Sequence, residues 1–385
     1  MKESIRLKDC NFLLIAAVVI LNIIGIFAIG SARPALQSRQ ISGMIAGLVV
    51  MVIVALIDYS YILKFYWVIY ALNLVLLFSV ELFGESVNNA KRWLIIPGIN
   101  LQFQPSELAK ILLILFFARF IMLHREQINT VKILAVMFIL LAPILLLVKR
   151  QPDLSTTIML AAIFCMLLFM GGLSKKIIIG VFAVVVPAAS IFLFLVLQPD
   201  QTLIEPYQQK RILAWLDPEE YALSDAWQTE NSIMAIGSGE LTGKGLNNNE
   251  VSSVINGNYV SEAETDFIFA VIGEEMGFIG CSSVIILIVI TGWCCFATGM
   301  KAKDLSGTLI CMGIGTIAAL QGFFNISVAT GIMPNTGIPL PFVSYGLTSL
   351  VSNYMGIGFV LSAGFRKREP ERHTTELGQI GTEIK

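Results

Sequence analysis

Asp266 stands at an abrupt change of polarity. The stretch Thr265-Asp266-Phe267-Ile268-Phe269-Ala270 closes a long polar segment and opens a strongly apolar one. A carboxylate in that setting can act as a general base or hold a metal ion. It can equally cap the helix that follows, together with Thr265. Other charged residues recur in comparable places. Arg92, followed by Trp93, is expected in a loop that precedes a helix. In Gln104-Pro105-Ser106-Glu107-Leu108-Ala109-Lys110, Pro105 and Ser106 read as a helix start with Ser106 as the cap. Glu107 and Lys110 then share a helix face and can pair. Arg150-Gln151-Pro152-Asp153 opens another helix in a similar way, with Asp153 near its first turn. Each block alone reads as a capped helix end with a local ion pair. Acids at the outer ends of three helices, with cations beside them, look more like a lined cavity, because charge within a membrane span usually faces a protein interior or water. Glu274 and Glu275 lie roughly 12 Å deeper than Asp266 at 1.5 Å per residue. One of them can face the same cavity, or both can pair with neighbouring helices.

The elements that must position these residues are membrane helices. The chain has 385 residues, is 56% hydrophobic and 14% charged, and has a mean hydropathy of +0.78. Soluble domains carry roughly 25% charged residues. The fold class is all-α and integral to the membrane, with ten spans at about 11–31, 40–57, 61–83, 107–123, 131–148, 154–172, 175–197, 266–297, 305–333 and 341–364. No short cleavable signal pattern precedes the first span, which is expected to be retained. With both termini cytoplasmic, sixteen cations lie inside and nine outside, with Lys110 within a span. Residues 1–368 form one polytopic domain, and 369–385 a disordered cytoplasmic tail.

The same topology limits the chemistry. His124 and His373 both fall on the cytoplasmic side. An external site therefore lacks a Ser-His-Asp arrangement and a histidine metal site. It must run on carboxylates, with lysine or arginine to hold anions. Of the six cysteines, five fall within spans and Cys10 lies at the inner edge of the first, so no disulfide framework is expected. The external segment between the seventh and eighth spans, about 198–265, is long and acidic. Loops of that length are usually functional. Ala226–Ile236 is expected to form a short helix on the membrane. Gly237-Ser238-Gly239 and Gly243-Lys244-Gly245 mark turns and do not form a phosphate loop. The run from Ala329 to Gly346 holds three prolines and several glycines, which preclude a continuous helix. Broken backbone at membrane depth is tolerated where it is buried in protein or lines a wet cavity.

Taken together, these blocks resemble the SEDS family of bacterial cell-wall proteins, the RodA, FtsW and SpoVE group. The resemblance covers about residues 10–368. It rests on Arg92-Trp93, the Gln104–Lys110 block, Gln151-Pro152-Asp153-Leu154, and Arg211-Ile212-Leu213-Ala214-Trp215-Leu216-Asp217-Pro218. It rests equally on Gly243-Lys244-Gly245-Leu246, Thr265–Ala270 with Glu274-Glu275, and Thr336-Gly337-Ile338-Pro339-Leu340-Pro341-Phe342-Val343-Ser344-Tyr345-Gly346. The resemblance implies a peptidoglycan glycosyltransferase that polymerises lipid II at the outer face of the bacterial cytoplasmic membrane. It implies work beside a class B penicillin-binding protein, within elongasome or divisome machinery and among membrane lipids, with no nucleic acid involved. The family's essential aspartate maps to Asp266. Its paired glutamate and lysine map to Glu107 and Lys110, and its Gln-Pro-Asp acid to Asp153. Ser344 and Tyr345 fall in its closing motif. Two positions depart from the pattern. Ser261-Glu262-Ala263-Glu264-Thr265 replaces a segment that often carries a histidine, and Gly346-Leu347 replaces Gly-Gly. The Gly-Lys-Gly-Leu stretch favours the elongation type.

Such a reaction needs a base for the attacking hydroxyl and positive charge at the leaving pyrophosphate. Arg92, Lys110, Arg150 and Arg211 are the candidate cations. Glu264 or burial can raise the basicity of Asp266. The acidity of the outer loop leaves room for a bound Mg²⁺ or Mn²⁺ at Asp266, with no organic cofactor. Two rival readings use the same features: a flippase or exporter of the same lipid, and a non-catalytic scaffold for the transpeptidase. The long outer loop at the polar surface favours the enzyme, since transport sites tend to lie near the midplane.

Overall fold

The computed structural model describes residues 10–87, 90–96, 101–198, 201–221, 226–246 and 260–366. The proposed tail, and the parts of the outer segment within 222–225 and 247–259, lie outside the described residues. Thirteen α-helices are present among the described residues. Ten of them correspond to the expected spans: α1 (Phe12–Ala32), α2 (Pro34–Leu56), α4 (Tyr66–Phe83, preceded by the short α3, Tyr59–Ile62), α5 (Pro105–Leu123), α6 (Val131–Arg150), α7 (Leu154–Met170), α8 (Lys175–Val196), α11 (Ile268–Gly299), α12 (Leu305–Ala329) and α13 (Leu347–Gly364). Eight spans are long and apolar enough to cross a membrane outright. The other two depart for visible reasons. α5 carries Glu107, Lys110 and Arg119, and α7 has 17 residues. The protein is a multi-pass membrane protein.

Local chemistry sets several boundaries. Asn11 caps α1, its side chain accepting from Leu14 N at 3.1 Å. Pro34 occupies the first turn of α2, where its fixed φ suits a helix start. That helix consequently begins before residue 40, and Arg39 lies within it rather than in an outer loop. α12 stops at Ala329 and α13 starts at Leu347, both shorter than the spans expected from hydropathy. The run between them is irregular, as its prolines and glycines require. Buried amides tie it to the first two helices: Asn22 Nδ2 donates to Phe342 O at 2.6 Å, and Gln40 Nε2 to Ser344 O at 3.4 Å.

The core is built around α5, which is buried along nearly its whole length, and around α12 and α13. α2 lies against α13, where Gly47 leaves space for the Tyr354 ring. α8 keeps its apolar surface uncovered by the other described residues.

Two features of the inner helices and their connections were not expected. A small antiparallel sheet, β1 (Glu85–Val87), β2 (Ala90–Ile96) and β3 (Leu101–Phe103), separates α4 from α5 and places Arg92 on a strand rather than in a loop. α11 is broken at Gly277, whose φ of 61° and ψ of −159° favour glycine. A turn following α10 (Trp227–Ser238) fills the break. Phe278 N donates to Glu240 O at 2.8 Å and Ile279 N to Leu241 O at 3.2 Å. In return, Lys244 N donates to Glu274 O at 2.9 Å and Gly245 N to Glu275 O at 3.0 Å. The Gly243-Lys244-Gly245 motif thus repairs a helix break with its own backbone. A Cβ at Gly243 would lie 2.1 Å from Glu275 O, so the approach requires glycine.

Candidate functional site

Asp266 sits in the turn that ends at Phe267, just before α11. Phe267 is the N-cap and makes no side-chain cap bond, so Asp266 does not cap the helix as the bland reading of the sequence would have it. Its backbone neighbourhood is closely held. Asn325 Nδ2 donates to Asp266 O at 2.8 Å, Ser344 Oγ to Thr265 O at 2.6 Å, and Tyr345 N to Glu264 O at 2.8 Å. Its carboxylate is treated differently. Among the described residues no hydrogen bond or ion pair reaches it. Oδ2 faces Gly337, where a Cβ would sit 3.5 Å away.

Burial pushes the Asp266 carboxyl up to about 6. Arg211 opposes that rise most strongly, Glu262 adds to it, Arg92 opposes it and Asp153 adds to it. These four groups are the charges that act on the acid. Glu264, one of the two causes considered from the sequence, is instead engaged by Arg33 in an ion pair. The acids that act on Asp266 are Glu262 and, less strongly, Asp153.

The cations arrive from separate elements. α9 (Pro206–Leu216) lies in the outer segment and was not anticipated. Its N-terminus carries a reciprocal capping box between Glu205 and Gln208, with Pro206 at the start. Arg211 on α9 donates to Asn335 O at 3.4 Å, and its guanidinium lies 5.7 Å from the centre of the Tyr207 ring. Trp215 Nε1 donates to Gly331 O at 3.0 Å. α9 is thereby fastened to the irregular run that passes Asp266. Arg92 on β2 donates to Gln151 O at 3.1 Å, to Pro152 O, and to the Tyr207 hydroxyl at 3.3 Å. Tyr207 donates in turn to Pro152 O at 2.9 Å. The Gln151-Pro152-Asp153 turn, β2 and α9 meet at this knot. Asp153 itself caps α7, accepting from Thr156 N at 3.1 Å.

The remaining candidates are placed differently. Glu107 and Lys110 pair at 2.8 Å with side chains only 5% and 3% exposed, a buried pair on the first turns of α5. Ser106 does not cap that helix; Gln104 holds the cap position, Pro105 takes the first turn, and the Ser106 hydroxyl is buried within it. Arg150 pairs with Glu81 at 3.4 Å on the exposed surface. It borders a groove of about 420 Å³ that is also lined by Lys149, Leu154 and Glu205. Ser344 is buried, with its hydroxyl bonded to Thr265 O and Leu340 N. Glu274 and Glu275 leave the Asp266 site altogether: Glu274 pairs with Lys244 at 2.8 Å, and Glu275 accepts from the Ser31 hydroxyl. Tyr207, Glu262 and Asn325 are the site residues that sequence reading missed. Tyr207 could have been found, because it precedes Arg211 by one helical turn in a segment with a clear helix start.

A family model of cell cycle proteins, covering FtsW, RodA and SpoVE, matches residues 8–369. The chain is 33% identical over 361 residues to the peptidoglycan glycosyltransferase MrdB of Escherichia coli (strain K12), covering 94% of each chain. It is similar to a chain in a solved peptidoglycan synthase complex that coordinates polymerization and crosslinking, with a TM-score of 0.75, 28% identity, and coverage of 92% of this chain and 97% of that one. It is likewise similar to the Thermus thermophilus rod shape determining protein RodA, with a TM-score of 0.68, 26% identity, and coverage of 94% and 98%.

Proposed function

The chain belongs to the cell cycle protein family of FtsW, RodA and SpoVE, and on that premise we propose that it is a peptidoglycan glycosyltransferase that polymerises lipid II with Asp266 as its base. The observation that carries the assignment is the state of Asp266. Its backbone is tied down, its carboxylate has no donor among the described residues, and burial raises its basicity. An acid with a pKa near 6 is mostly ionised at neutral pH, yet binds a proton far better than an exposed aspartate.

The reaction follows from that state. A sugar hydroxyl of one lipid II molecule attacks the anomeric carbon of the growing glycan. Asp266 takes the hydroxyl proton as the new C–O bond forms. The bond to undecaprenyl pyrophosphate breaks, and its electron pair leaves with the pyrophosphate. Arg211 and Arg92 are the cations that act on Asp266, and they stabilise the charge that develops nearby. Ser344 and Tyr345 hold the backbone that carries the acid. Asp153 fixes the turn that anchors Arg92. The buried Glu107–Lys110 pair and the surface Arg150 bind more remote parts of the substrate.

A divalent cation fits this site in one manner. Among the described residues no group of three His, Cys, Asp or Glu side chains could hold an ion alone. Asp266 would hold Mg²⁺ or Mn²⁺ through its carboxylate oxygens, and such an ion would supply positive charge against the phosphate charge of the substrate. The distribution of basic residues supports cytoplasmic termini and an outward Asp266. A class B penicillin-binding protein is the partner that this function calls for, since new glycan must be crosslinked.

The test is a gel analysis of glycan product from purified protein and lipid II, with and without the partner and divalent cation, beside Asp266→Ala. Polymer from the parent and none from the folded variant is the expected result. Transfer of lipid across a liposome bilayer without any polymer would replace the enzyme with a transporter.

A further inference from the structure

We infer that Asn325 is the positioning residue of this site, clamping Asp266 and the segment opposite it at a fixed separation through the two N–H groups of one side-chain amide. The inference rests on the assignment of Asp266 as the base. Three observations support it.

The first is the bonding of the amide. Asn325 Nδ2 donates to Asp266 O at 2.8 Å and to Ile338 O at 2.9 Å. An Asn amide nitrogen has two protons, and both are used. One holds the residue that carries the carboxylate. The other holds the residue after Gly337, the glycine that faces Asp266 Oδ2. No other side chain among the described residues donates to both segments.

The second is the weakness of local structure around the acid. Asp266 lies outside α11, and the N-cap residue Phe267 makes no side-chain cap bond. The run 330–346 contains neither helix nor strand. Neither side of the site is therefore set by regular secondary structure. Asn325 comes from α12, a helix buried along most of its length. It ties to that helix two segments that, among the described residues, are otherwise hydrogen-bonded to each other only beyond the acid, through Ser344 Oγ to Thr265 O and Tyr345 N to Glu264 O.

The third is the choice of side chain. Asn325 is 1% exposed, and its Oδ1 is buried without a hydrogen-bond partner. A buried polar atom left unpaired is costly. An apolar residue at that position would avoid the cost, so packing alone does not account for an amide there. The two donations do.

Positioning of this kind acts on the chemical step more than on substrate capture. Displacement of a reacting group by about 1 Å can cost roughly 100-fold in rate. The experiment is steady-state polymerisation of lipid II by Asn325→Leu, which keeps the branch at Cγ and removes both donors, and by Asn325→Ser, which retains one donor. Asp266→Ala is run alongside, and each protein is checked for monodispersity and thermal midpoint. The expected result is a kcat about 10- to 100-fold lower for Asn325→Leu, an intermediate kcat for Asn325→Ser, and an apparent KM close to that of the parent for both. A parental kcat in either folded variant, or a loss confined to KM, would overturn the clamp. So would failure of both variants to fold, which would make the residue structural only. If Asp266→Ala remained active, the base assignment itself would fail. An inactive Asp266→Ala beside fully active Asn325 variants would remove the clamp alone.

Discussion

Asp266 and Glu274 are acids eight residues apart, on the two sides of one helix start. The chain treats them in opposite ways. Glu274 is 1% exposed and pairs with Lys244 at 2.8 Å, while its carbonyl and that of Glu275 accept the two N–H groups that close the break at Gly277. Charge, backbone and loop there satisfy one another. Around Asp266 the backbone is satisfied to the same degree, through Asn325, Ser344 and Tyr345, but the carboxylate is not. A structural acid is identified by a partner. The Asp266 carboxylate is acted on by charges at a distance, with no partner among the described residues. That difference separates a fastening from a site of reaction, although both are acids of one α11 region.

The sharpest way to break the comparison is to exchange the chemistry while keeping the shape. Asp266→Asn should lower kcat by about 100-fold or more, the range of a lost general base, with little change in thermal midpoint. Glu274→Leu should do the reverse. Removing one partner of a buried pair costs about 3 kcal/mol or more, so the thermal midpoint should fall while the folded fraction keeps its specific activity. Gly277→Ala should act in the same direction as Glu274→Leu, because a Cβ there would lie 2.4 Å from Gly243 N at a φ of 61°. Thermal unfolding in detergent together with a polymerisation assay measures both quantities. An activity loss in folded Glu274→Leu equal to that of Asp266→Asn would erase the distinction.

A smaller effect concerns pH. Burial holds the Asp266 carboxyl near 6. A base must be deprotonated, so activity without added divalent cation should be full above that value and half lost near pH 6. It should fall about tenfold per unit further down. A rate that persists unchanged to pH 5 would contradict the assigned environment. The smallest expected effect is at Tyr207, whose hydroxyl accepts from Arg92 and donates to Pro152 O. Tyr207→Phe removes those bonds, worth about 1 kcal/mol, and should reduce kcat/KM several-fold without abolishing polymer.

The two regions also differ in how far the sequence discloses them. The ten helices are legible because eight are long apolar runs and the other two, α5 and α7, are apolar apart from a few charges or a short length, and the Glu107–Lys110 pair is legible because its spacing is helical. Asp266 stands out because it marks a polarity boundary. Its role as an uncapped acid does not, since capping depends on one residue of offset in where α11 begins. Ser106 misleads for the same reason: Pro105 takes the first turn and moves the cap to Gln104. The break in α11 is hidden because a glycine in a helical run is ordinary. Its positive φ is sustained by a turn more than thirty residues earlier in the chain. Asn325 is hidden likewise. Its two acceptors lie in segments distant in sequence, and only the tertiary fold brings them to one amide.

The most direct measurement of the central claim is lipid II binding and lipid II polymerisation, determined side by side for the parent protein and Asp266→Asn at neutral pH. Binding retained within a few-fold, with polymer reduced below detection, is the expected result, because the carboxylate is reserved for the chemical step. Polymerisation at the parental rate by the folded variant would contradict it.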